Sequence, residues 1–291
     1  MRFFKRLSIL FAIFFLLPSL ASAAWWMSVD RPGSWRQADW TSSGVLPPAE
    51  SLDEPVIHVM AARTGGLKGA LSVHSWIVTF DPAEGRYNRY DKVGWGQPVR
   101  RNAYAADARW YSNAPFFVKT VRGADAARLI PRIEAAIAAY PYNHRGGYTI
   151  WPGPNSNSFV AHVLRAVPEL DAVLPPHAVG RDWRPGLFAF DLAPDGADMH
   201  FSLGGLMGFS AGLRSGLEVH MFGLVAGIDI RRPALKIPGV GRVGMSGDHA
   251  LSSSMPADRN PPSTASVWPV MKLASSETRK ATAAAISSGS P

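Results

Sequence analysis

The chain has 291 residues, 47% of them hydrophobic, a formal net charge of +8 and no cysteine. Without cysteine there are no disulfides, thiolate metal sites, lipoprotein acylation or thiol catalysis, so the fold must stand on its apolar core. The charge is concentrated at the ends: Arg2, Lys5 and Arg6 open the chain, Arg259, Lys272, Arg279 and Lys280 outweigh Asp258 and Glu277 in the tail, and the body keeps only about +3. No basic stripe with interleaved aromatics remains, which argues against nucleic-acid binding.

Arg2, Lys5 and Arg6 form a cationic start, Leu7 to Leu17 an apolar run, Pro18 a break, and Ala21-Ser22-Ala23 the small residues that a signal peptidase needs. Residues 1–23 therefore read as a signal peptide, with an exported mature chain in the periplasm or cell envelope. Left uncut, the same segment would associate with the inner membrane as an anchor, although the apolar run is short of the about 20 residues of a span. Residues 24–54 are rich in tryptophan and broken by Pro32, Gly33, Gly44 and Pro47-Pro48. They read as an irregular lead-in laid against the body.

Residues 55–195 carry the regular patterns. Val56 to Met60 is a short apolar strand, and Gly65-Gly66 marks a turn. Leu71 to Phe80 alternates, with Val73, Ser75, Ile77 and Thr79 on one face and His74, Trp76, Val78 and Phe80 on the other. Asp81-Pro82 and Gly85 turn the chain into a strand from Arg86 to Trp95, and Phe116 to Val121 is a further strand. Helices are predicted from Ala124 to Ala139 and from about Asn155 to just before Pro168, each with apolar residues on one stripe. Residues 196–249 form a glycine-rich β extension, with a hairpin expected near Arg214-Ser215-Gly216, and residues 250–291 have the composition of a disordered tail.

The run Trp151-Pro152-Gly153-Pro154-Asn155-Ser156-Asn157-Ser158-Phe159 opens the second helix. Asn and Ser in such a place are first of all caps for orphan amides. A hydroxyl at a helix start also faces the positive dipole end, where a developing anion is stabilised. His74, on a strand among apolar and aromatic neighbours, is a candidate base for it. Glycines around Ser210 write Gly-x-Ser-x-Gly, but the spacing favours a hairpin over the strand-to-helix elbow that this motif needs. The eight histidines show no metal-binding spacing, so no metal and no cofactor is expected, and His58, His144, His177, His200 and His220 read as packed or solvated.

A strand histidine ahead of an Asn-Cys-x-x-Phe motif resembles the circularly permuted papain-like superfamily, with its NlpC-type peptidases and lecithin–retinol acyltransferase relatives. Asn155 to Phe159 matches with serine for cysteine. The resemblance implies Ser156 as nucleophile, His74 as base and a third polar residue on the next strand, either Asn88 or Asp91, of which Asp91 is preferred. His74-Ser75-Trp76-Ile77, the run from Trp151 to Phe159, and Arg232 to Lys236 also resemble a bacterial envelope family catalogued as domain of unknown function 3750, which brings no activity. The expected fold is α+β: an antiparallel sheet packed on two main helices in a papain-like, permuted NlpC-type arrangement, with a C-terminal glycine-rich hairpin. The expected function is hydrolysis or acyl transfer at an amide or ester of a cell-wall peptide, glycan or lipid, with Asn155, Asn157, Trp76 and Trp151 lining the cleft. A non-catalytic envelope binding module is the alternative, since serine cannot form the thiolate such a site is tuned for.

Overall fold

A computed structural model describes residues 2–245, so the tail expected over 250–291 lies outside the described residues. Helix α1 spans Arg2–Ser28. Pro18 does not break it, because a turn of π-helix over Ala12–Leu16 precedes it and proline occupies a first-turn position, where its missing N–H is not needed. The helix is built into the body at its far end. Ser22 Oγ donates to Ala70 O at 2.5 Å and Gly239 O at 3.0 Å, and Trp26 Nε1 donates to Gly66 O at 2.8 Å. Because α1 runs on to Ser28, the lead-in is irregular only beyond that residue.

Strands β1 (Val56–Arg63), β2 (Val73–Asp81), β3 (Arg86–Lys92), β4 (Val99–Arg101) and β5 (Phe116–Arg122) make an antiparallel sheet in the order β4-β3-β2-β1-β5. The hairpin turning at Asp81–Gly85 pairs Thr79 with Asn88 and Ile77 with Tyr90. Both faces of β2 are buried, so its period-2 alternation separates two cores rather than core from solvent. On one side, α2 (Gly123–Ala138) and α3 (Ser156–Ala166) lay Leu129, Ile133, Phe159 and Val160 over Val59, Val73 and Ile77. On the other, the lead-in and the segment after β4 set Trp40 and Trp110 over Met60, Trp76 and Val78. Burying each large apolar side chain contributes about 1.5–3 kcal/mol, and this core stands in for the missing disulfides.

The second sheet is larger than the expected hairpin. Strands β6 (Phe188–Leu192), β7 (Asp198–Leu203), β8 (Met207–Gly212), β9 (Gly216–Met221), β10 (Leu224–Asp229), β11 (Ala234–Ile237) and β12 (Gly241–Gly244) form one seven-stranded antiparallel meander. It starts at residue 188, inside the stretch assigned to the body. The turn at 213–215 is where the sequence put it, and Ser210 sits in mid-strand, which removes the elbow reading. The polarity of this sheet is reversed: its inner face buries His200, Ser210, Glu218, His220 and Lys236, while Phe188, Phe190, Phe209, Leu217 and Leu235 stand exposed on the outer face.

Lys92, at the end of β3, is fully buried. Its Nζ donates to Tyr140 Oη at 3.0 Å and Gly147 O at 2.5 Å, under the rings of Tyr140, Tyr142 and Tyr148. No carboxylate pairs with it among the described residues, and burial pulls its pKa from 10.5 down to about 7. Between those values the unfolded chain holds a proton that the folded chain has released, so stability rises with pH through that window. Denaturant unfolding of the wild type and Lys92→Met at pH 6, 7.5 and 9 should show the wild type gaining stability relative to the variant at each step. Parallel pH profiles would contradict this account of Lys92.

Candidate functional site

The Asn155–Phe159 run is a junction of three segments. Asn155 is the N-cap of α3: its Oδ1 accepts from Asn157 N at 2.9 Å and Ser158 N at 3.1 Å, and its own N donates to Ser158 Oγ at 2.6 Å. Its Nδ2 donates to Ile150 O and Val179 O, both at 3.0 Å. Asn157 Nδ2 donates to Val73 O and Val179 O, both at 2.9 Å, and Asn157 Oδ1 accepts from Ser75 Oγ at 2.8 Å. Both amides are buried and have every polar atom engaged. Gly180 is required beside them, since its φ is +92° and a Cβ there would fall 2.2 Å from Asn155 Nδ2.

His74 belongs to a different cluster. Its Nε2 lies 2.9 Å from Asp91 Oδ1, and its ring stacks on Trp110 with centroids 3.6 Å apart and planes 4° from parallel. Arg89 grips the same carboxylate twice, Nε to Oδ2 at 2.7 Å and Nη2 to Oδ1 at 2.9 Å, and lies 4.0 Å from the Trp76 ring centroid. Burial would raise the pKa of Asp91, but the Arg89 guanidinium and the His74 hydrogen bond hold it at about 2. Burial pushes His74 below its ordinary range against the opposing pull of Asp91, so its ring is neutral and donates Nε2–H to the carboxylate.

These two clusters correct the expected catalytic arrangement. Successive side chains on a strand point to opposite faces. Ser75 reaches Asn157 on the α3 side, so His74 faces the other side, toward Trp110. Ser156, on α3, therefore has the sheet between it and His74, and the expected Ser156–His74 pair is not assembled. Of the two candidate third residues, Asp91 joins His74, whereas Asn88 turns to Glu84 and Arg101. Trp76 is fully buried under Arg89 and lines no cleft, and Trp151 is 44% exposed with Nε1 donating to Phe222 O at 3.0 Å, next to the second sheet. Asn155 and Asn157 hold the backbone rather than a ligand.

The sequence reading missed Arg89, although its place two residues before Asp91 on one strand face marks it as a partner. It also passed over Asp182, His200 and His220, the described residues whose chemistry suits a metal ion. Those lie far apart in sequence, Asp182 in a loop and the two histidines on separate strands, with no recognisable ligand spacing.

Residues 54–183 match the model of a family described as protein of unknown function (DUF3750). The match takes in the first sheet, α2, α3 and the asparagine junction, and leaves α1 and the second sheet outside it. No curated protein and no solved structure matches the chain. If the junction is architectural, Asn157→Ala should cost about 3 kcal/mol, because it strands buried partners. Ser156→Ala should cost under about 1 kcal/mol. Urea unfolding of the two variants checks this, and the reverse order would point back to Ser156 as the residue that matters.

Proposed function

We propose that the protein is a membrane-seated envelope module, held to a lipid surface by α1 and the outer face of the second sheet, and that it binds rather than hydrolyses. The observation that carries this reading is the polarity of the second sheet. Phe190 is paired with Phe201, Phe201 with Phe209, Phe209 with Val219, Leu217 with Ile228 and Ile228 with Leu235, giving one apolar surface across successive strands. Phe188, Phe190 and Leu192 on it are each more than 60% exposed. A contiguous apolar face of this extent goes well beyond the scattered apolar residues of an ordinary water-facing surface.

Lipid is favoured as the occupant by the neighbouring helix. α1 has 27 residues and a mean hydropathy of 2.2 over its best window, and at 1.5 Å per residue it is about 40 Å long, enough to cross a hydrocarbon core. Its residues 12–16 run beside β10, so a layer that receives the helix meets the sheet. The sheet does not itself span. Among the described residues its outer strands β6 and β12 have unpaired backbone edges, which hydrocarbon cannot satisfy, so the face rests at interfacial depth. The same helix is compatible with a signal sequence, but its bonds from Ser22 and Trp26 into the body support retention as an anchor.

The papain-like resemblance supports a hydrolase less well, because it needs Ser156 and His74 on one side of the sheet. Zero cysteines make the lipid reading simple to test. Single-cysteine variants Phe190→Cys, Phe209→Cys and Leu217→Cys of the full chain, each carrying an environment-sensitive fluorophore, would be reconstituted into vesicles. Nitroxide-bearing lipids should quench all three, and should spare a label at Arg128→Cys on the exposed side of α2. Quenching by aqueous iodide instead would sink the proposal. Shielding from both quenchers that weakens on dilution would show a second copy on the face, and would sink it equally.

A further inference from the structure

Asp182 lies in the loop that leaves the asparagine junction, His200 on β7 and His220 on β9. All three are buried, and one potential ligand atom from each lies within 4.8 Å of the other two. Asp182 Oδ1 stands 3.3 Å from His220 Nδ1 and 4.0 Å from His200 Nε2. Asp182 Oδ2, His220 Nδ1 and both ring nitrogens of His200 are buried without a hydrogen-bond partner. Buried polar atoms are rarely left unmet, and three of these, Asp182 Oδ2, His220 Nδ1 and His200 Nε2, belong to one group that asks for a ligand, while His200 Nδ1 faces Asp191 Oδ2 at 3.8 Å.

The second nitrogen of His220 sets the direction of the first. Its Nε2 lies 3.2 Å from Glu218 Oε2 and 3.3 Å from Ser210 Oγ. The Glu218 carboxylate is itself gripped by Arg181 at 2.6 Å and by Lys236, which fixes its place beside that nitrogen. A proton on Nε2, directed at Glu218, leaves the Nδ1 lone pair turned toward the Asp182 carboxylate. Two such electron-rich atoms facing each other repel unless a cation stands between them. Arg181 Nε approaches Asp182 Oδ1 to 3.5 Å but makes no hydrogen bond, so it does not fill that role. A carboxylate orienting the far nitrogen of a histidine is also the usual support of a metal-bound imidazole.

We propose that Asp182, His200 and His220 bind a divalent transition-metal ion of the zinc type, with a fourth position open to water or an anionic ligand. Two imidazoles and one carboxylate suit such an ion better than magnesium or calcium, which prefer all-oxygen sites. Bonds of about 2.0–2.2 Å place tetrahedral donors about 3.4 Å apart, so small side-chain rotations close the present spacing. The ion would join the loop after the α3 layer to two strands of the second sheet.

The test uses the full chain in detergent micelles, stripped with a chelator, dialysed and titrated with Co²⁺ as a spectroscopic probe. The expected result is one Co²⁺ per chain with the visible bands of a four- or five-coordinate nitrogen–oxygen site, displaced by Zn²⁺. Saturating Zn²⁺ at about a hundredfold over its dissociation constant should raise the melting temperature by about 5 °C or more. Asp182→Asn, which keeps the side-chain shape, and His200→Ala should each weaken binding at least about hundredfold, while His144→Ala, at an exposed histidine, should not. Binding unchanged in the Asp182→Asn/His200→Ala double variant, or absent from the wild type, overturns the site. Should the variants fail to fold, imidazole nitrogen resonances of the wild type decide: loss of the free Nδ1 signal of His220 on adding Zn²⁺ supports it. A proton on that nitrogen that survives Zn²⁺ overturns it, since His220 would then be bridging Asp182 and Glu218 as a cation.

Discussion

The carbonyl of Val179 receives two side-chain hydrogen bonds, from Asn155 and from Asn157, and much of the architecture hangs on that double contact. Asn157 also holds Val73 O and Ser75 Oγ at the start of β2, so the first sheet, the start of α3 and the segment around 179 are fixed to one another through two amides. Three residues further on the chain reaches Asp182, and Arg181 just before it pairs with Glu218 on β9. The position of the second sheet's polar interior thus follows from a capping motif at the helix start. The two asparagines of that run act as a clamp, because every donor and acceptor they carry is already in use.

The other face of the first sheet has its own constraint. His74, Asp91 and Arg89 are nearly or fully buried, and a buried ionic group adds little net stability against an apolar core of equal volume. It does penalise wrong packing, since breaking one partner leaves a charge in a low-dielectric interior. Arg89 must sit between Asp91 and the Trp76 ring, and Trp110 must cover His74, for all three groups to be satisfied together. Trp40 of the lead-in completes that cover: it packs edge-on against Trp110 with centroids 5.0 Å apart, so a stretch without regular structure roofs the charged group.

Alternation along β2, the Asp81–Gly85 turn, the two helices and the cap at Asn155 were all legible, because each rests on local spacing. Which face of β2 meets α3 was not. Both faces carry apolar residues, so the pattern that places His74 opposite Ser75 does not say which of them looks toward Ser156. The extent of the second sheet was hidden for a related reason. Its strands alternate, but with His200, Ser210 and Glu218 inward and Phe209 and Leu217 outward, the reverse of the pattern by which a strand is usually recognised. His200 and His220 lie on non-adjacent strands, and only the pairing of β7 with β8 and of β8 with β9 brings them near Asp182. Pro18 misled for a geometric reason, since a first-turn proline after a π-turn leaves the helix intact.

That reversed polarity limits what the second sheet can be. A slip of one residue along any of its strands would exchange the faces, turning the phenylalanines inward and the histidines out. The polar interior opposes the slip: Glu218 is held by Arg181 and Lys236, and moving it to the outer face would take from both buried cations the carboxylate they share. The outward apolar face is therefore a fixed consequence of the inward ionic network. In water that face would lose about 25 cal/mol for every Å² of apolar surface left uncovered. The inner face thus sets the register, and an apolar neighbour on the outer face would remove that cost. The position of α1 beside β10 makes the lipid that would receive the helix the nearest candidate for that neighbour.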